Sequence, residues 1–147
     1  MKKTLFIFLT GLVLVSCSIN KKETNGEYVF NIFKELNNIS LQDFQQKFIT
    51  PQEILEMTGN VLSVDDFNNE LVEIFENLKE DGEDYGINWN NIQYEDFIAE
   101  EFENNGNKGF EGTLYFNHNN VIYEIDIIIA KIKKEYKIIE IGSLYKK

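Results

Sequence analysis

The sequence predicts an α+β domain, with N-terminal helices packed on a C-terminal curved antiparallel sheet. Three observations carry that prediction. Helix-capping signatures recur in the first half of the 147-residue chain, apolar residues there repeat at helical spacing, and the last third breaks into β-rich runs separated by turn residues.

The helices follow in order. Thr24 and Glu27 have capping-box spacing, and Val29, Phe30, Phe33 and Leu36 continue on one helical face. Ser40 and Asp43 repeat the signature with a shorter acid and lead into Leu41, Phe44 and Phe48. Thr50, Pro51 and Glu53 supply an N-cap, a proline suited to the first helical position and a capping acid, with Ile54, Leu55 and Met57 as the buried side before Gly59. Ser63 and Asp66 open the longest pattern, in which Phe67, Leu71, Ile74, Phe75 and Leu78 form one stripe and Gly82 is the expected stop.

After that stop the period changes. The run from Ile92 to Phe102 starts strand-like, with helix an alternative for its acidic end. From Phe110 the runs FEGTLYFN, VIYEIDIIIAKI and YKIIEIGSLY, divided by HNN and KKE, read as an antiparallel meander. Strand alternation puts Tyr123, Ile125, Ile127 and Ile129 on one apolar face, ready to receive the helices. Glu124, Asp126, Ile128 and Ala130 share the other, which predicts a partly covered or concave surface.

This element order, closed by KKEYKIIEIGSLY, resembles the nuclear transport factor 2-like and cystatin-like superfamily of curved sheets against helices. The resemblance spans residues 27–145 and implies isomerases, dehydratases or non-enzymatic binding modules, since fold alone does not set function.

The chain begins with Met1, Lys2 and Lys3, followed by TLFIFLTGLVLVS, the layout of a secretory signal. That apolar run is shorter than the roughly 20 residues of a lasting transmembrane helix, so removal is expected. Leu14, Val15, Ser16 and Cys17 resemble the lipobox of bacterial lipoproteins. The resemblance implies cleavage before Cys17, a diacylglycerol thioether on its sulfur and an often acylated new amino terminus. Such chains, at about 0.8 kcal/mol per buried methylene, hold a domain on a membrane. Ser18 leans toward outer-membrane sorting, facing the periplasm. The expected organisation is a signal at 1–16, a lipidated cysteine and polar tether at 17–26, and one domain at 27–147.

Cleavage removes Lys2 and Lys3 and leaves 12 lysines against 25 acids, with no arginine, a net charge of −13. Phosphate backbones and anionic headgroups repel such a domain, so no nucleic-acid partner is expected and the lipid is the anchor. A single cysteine provides neither a disulfide nor a thiolate zinc site, and Cys17, once acylated, is no nucleophile. Phosphate-binding and dinucleotide glycine patterns are missing from the sequence. No cofactor or metal is expected.

The remaining candidates are few. His118, in FNHNNV, is expected in a solvated turn. The segment KEDGEDYG offers Asp81, Glu83 and Asp84, but its glycines fall at the wrong offsets for a helix-loop-helix calcium site. Trp89, Tyr94 and Phe97 offer a ligand or partner surface, or else close a core edge. Residues 95–105 concentrate acids suited to a basic protein. Asp126 is the acid to watch, because the resembled family's enzymes use a pocket acid as general base, with Tyr94 or Tyr123 as oxyanion donor. The favoured expectation is a non-enzymatic envelope binding module, for example an acidic inhibitor or immunity-type protein. The alternative is a small-molecule pocket enzyme with Asp126 as base.

Overall fold

The computed structural model describes residues 25–104 and 106–147, so Cys17, the lipobox, the signal, Thr24 and most of the tether lie outside the described residues. Residues 25–34 (α1) are helical, followed by α2 (Leu41–Gln45), α3 (Pro51–Thr58) and α4 (Val64–Asp84). A 3₁₀ turn at Trp89–Asn91 leads into β1 (Gln93–Asn104), β2 (Asn107–His118), β3 (Val121–Ile132) and β4 (Glu135–Lys146). The layout is α+β, helices first and sheet last. Asn25 and Gly26 are already helical and buried. Gly26 is held there by close approach to Phe97 and the Tyr94 hydroxyl.

The caps explain where the helices begin. Ser40 Oγ accepts the Asp43 N–H at 3.1 Å and Ser63 Oγ that of Asp66 at 3.3 Å. At α3 the box is reciprocal: Thr50 Oγ1 accepts from the Glu53 N–H and the Glu53 carboxylate accepts from the Thr50 N–H. Gly59 ends α3 in the left-handed region, with φ 73°.

Gly82 is not the stop of α4. The helix runs through it to Asp84 and turns at Gly86, whose φ is 65°. Gly82 is there for close packing: a Cβ would come within 2.4 Å of the Trp89 indole nitrogen. Asp81, Glu83 and Asp84 consequently stand on helix instead of in a loop.

The sheet is a meander in the order β1-β2-β3-β4 with every pair antiparallel. The acidic end of β1 is strand, because its partner β2 supplies an unbroken ladder from Asp96 to Asn104. Asn119 and Asn120 form the β2–β3 turn with φ 53° and 65°, the left-handed pair that matches strand twist, and Asn117 Oδ1 accepts the Asn120 N–H at 3.0 Å.

Cross-strand rows Phe97–Leu114–Ile125–Leu144 and Ala99–Gly112–Ile127–Ile141 face the helices. Against them pack Val29, Phe33 and Leu36 of the α1 region, Phe44 of α2, and Leu71, Phe75 and Leu78 of α4. The Phe44 and Phe75 rings meet with centroids 5.0 Å apart. The apolar face expected of β3 is this one, with Tyr123, Ile125, Ile127 and Ile129 all buried.

One helix goes elsewhere. At Lys47–Ile49 the chain pairs with the outer edge of β4, where the Ile138 N–H donates to Lys47 O and the Ile49 N–H to Ile138 O, both at 2.9 Å. It then crosses to the opposite face. There Ile54 and Met57 cover Ala130, Ile132, Ile139 and Phe102. Lys137, aligned with Ala130, donates to both Glu53 oxygens at 3.0 Å. Burial resists ionisation of Glu53, but the Thr50 N–H, Lys137 and the Thr50 hydroxyl together hold its carboxyl below the usual range. α3 thus covers one corner of the second face and leaves the rest open.

Candidate protein-docking face

The uncovered part of that face is built by alternation. Parity brings Asp96, Tyr115, Glu124 and Tyr145 into one row across the four strands, and Glu100, Glu111, Ile128 and Glu140 into another. Between them lie Ile98, Thr113 and Asp126, with the backbone of Gly142 beside the Asp126 Cβ. A β-bulge in β4 opposite Asp126 leaves Gly142 room to sit there. Without a side chain at Gly142, a groove of about 370 Å³ opens, with Glu111, Thr113, Asp126 and Glu140 in its walls and Ile128 in its floor.

Electrostatically the face is one-sided. It carries Asp96, Glu100, Glu111, Glu124, Asp126 and Glu140. Of the lysines that reach it, Lys137 is committed to Glu53, and Lys147 lies 4.6 Å over the Tyr115 ring. Exposed apolar surface lies among the acids, with Ile98 at 63% and Tyr145 at 55% exposure. The groove thus sets one apolar side chain, Ile128, among the carboxylates of Glu111, Asp126 and Glu140. Exposed charges of one sign speed encounter with an oppositely charged partner.

Asp126 is exposed, and the Thr113 hydroxyl donates to its Oδ1 at 2.6 Å. Tyr123 points the other way, into the apolar core. The pocket-enzyme alternative asked for Asp126 and a tyrosine, Tyr94 or Tyr123, turned into one enclosed pocket; Asp126 lies exposed on one face of β3 and Tyr123 is buried on the other.

Trp89 and Phe97 also belong to the core, at 2% and 5% exposure, and Tyr94 packs edge-on against Phe30 with centroids 5.6 Å apart. Trp89 meets Phe33 and Phe116 instead of a partner. The three aromatics offer no common exposed surface.

His118 departs from the solvated turn expected of it. It is buried, and its Nε2 accepts the Asn88 N–H at 3.2 Å. A backbone N–H only donates, so the ring proton sits on Nδ1. The bond ties the end of β2 to the 3₁₀ turn, which Asn37 and Asn38 also hold through Asn88 and Asn90 at 3.2 Å each. Parity was the available signal, since His118 follows Leu114 and Phe116 at intervals of two residues.

Sequence reasoning had Glu124 and Asp126 on one face of β3 but missed Glu100, Glu111, Glu140 and Gly142 as their neighbours, because register between strands is needed to assemble them. No family model, curated protein or solved structure matches the chain.

Proposed function

We propose that this chain is a bacterial envelope lipoprotein, anchored through Cys17 to the outer membrane and facing the periplasm, whose domain is a non-enzymatic module that binds a basic protein. The observation that carries the reading is the open sheet face, where carboxylates surround exposed Ile98 and Tyr145 and the lysines within reach are already engaged. An acidic inhibitor of a basic toxin or hydrolase fits that surface: opposite charge accelerates encounter, and apolar residues supply the desolvated contact.

The test is capture from envelope extract by the full chain, run beside a Glu111→Gln/Asp126→Asn/Glu140→Gln variant. The expected result is a basic partner retained by the native chain, weakened at least tenfold in the variant and released by salt. A partner indifferent to both changes overturns the docking face. For the anchor, Cys17→Ala is expected to move the protein from the membrane to the soluble fraction.

A further inference from the structure

Resting on that reading, we infer that the partner also adds an extended strand to the outer edge of β4, along residues 141–144. The chain itself shows that this edge accepts backbone pairing: Lys47–Ile49 forms an isolated parallel bridge there with Ile138. Beyond Ile138, among the described residues, no other segment hydrogen-bonds to the edge. A slot of about 320 Å³ runs there between residues 141–144 and α4, with Asn77, Glu80 and Asp81 on the helix side. An edge strand beside a helix is the geometry of peptide capture by strand addition.

The opposite edge is closed to the same use at its start. β1 breaks register between Tyr94 and Asp96, and the Asp96 carboxylate accepts the Phe97 N–H at 2.8 Å. A bulge with a charged residue beside it is one way sheets blunt an edge.

Charge selects the occupant. The β4 slot and the groove on the open face share Gly142. Successive side chains of an added strand point to opposite sides, so one set meets Asn77, Glu80 and Asp81 and the other meets Glu140 and Asp126. Both sets face carboxylates, which selects an extended segment with lysine or arginine at positions of both parities. A second copy of this chain brings Glu80, Asp81 and Glu140 against themselves and is repelled.

The probe is an octapeptide of lysine and valine, titrated into the full chain in three forms: unmodified, and N-methylated at alternate residues in each of the two registers. The unmodified peptide is expected to slow amide exchange along residues 141–144. One N-methylated form, having lost the donors that face the edge, binds at least tenfold more weakly while the other keeps its affinity. Glu80→Gln with Asp81→Asn weakens the unmodified peptide several-fold. Equal binding of all three forms overturns strand addition while leaving the docking face intact. So does absence of binding at millimolar peptide, or self-association of the chain through β4. Loss of salt-sensitive capture in the extract experiment removes the docking face itself.

Discussion

Glu53 and Lys137 stand 84 residues apart in the chain, yet the lysine ammonium reaches both carboxylate oxygens at 3.0 Å on the far face of the sheet. The pair is largely shielded, with side-chain exposures of 14% and 22%. It fastens α3 to β4 where the chain has just crossed the sheet edge.

That pair gives a pH dependence. The Glu53 carboxyl is held below its ordinary value of 4.5, so its contribution is complete above that pH and is lost as pH falls through the lower folded value. Glu53→Gln is expected to cost about 1–3 kcal/mol at neutral pH, since it leaves Lys137 without its charge partner. Urea midpoints of the two proteins should converge as pH drops below 4.5.

At Gly82 two effects compete. Alanine gains roughly 1 kcal/mol of helix propensity, but its Cβ meets Trp89 at 2.4 Å. Backbone and indole are both packed, so overpacking of about 1–3 kcal/mol or more wins. Gly82→Ala is expected to lower the thermal midpoint and alter the near-ultraviolet signal of the sole tryptophan.

His118→Leu keeps the volume and removes the acceptor for the Asn88 N–H. A loss of about 1–3 kcal/mol is expected, with faster exchange of the Asn88 amide. Unchanged exchange at Asn88 would remove the structural role given to the ring.

Thr113→Val breaks a short hydrogen bond, but in an exposed setting where water replaces the hydroxyl. The stability change is expected to stay below about 1 kcal/mol. Partner affinity should move more than stability does, because Asp126 loses the group that fixes its orientation. Chemical denaturation beside titration of the captured partner separates the two effects.

Phe44 is fully buried between Phe48 and Phe75. Phe44→Ala is expected to cost about 3–5 kcal/mol, measured by urea unfolding.

The fold was legible where local chemistry decides it. Ser40, Thr50 and Ser63 mark helix starts because a cap is a contact between residues three apart. The Asn119–Asn120 turn was equally plain, since so few residues tolerate its dihedrals. What stayed hidden depends on distant partners. Gly82 reads as a stop until Trp89 is seen against it, and the acidic end of β1 is ambiguous until β2 pairs with it. The docking face was half visible in β3, whereas Glu100, Glu111 and Glu140 join it only through register. The cluster Trp89, Tyr94 and Phe97 attracted attention as a binding surface because exposure cannot be read from residue type.

The crossing at Lys47–Ile49 also sets a timetable for folding. Ile138 and Lys137, which receive that segment and α3, belong to β4, synthesised after every helix and after β1–β3. Until roughly 90 further residues have emerged, the Lys47–Ile49 segment has no edge to pair with and Glu53 no lysine, however well formed α3 is. The crossing segment and α3 must therefore wait, incomplete, for β4 to arrive. A chain built this way keeps that corner open during synthesis, and loss of β4 removes both the edge that Lys47–Ile49 pairs with and the lysine that Glu53 engages.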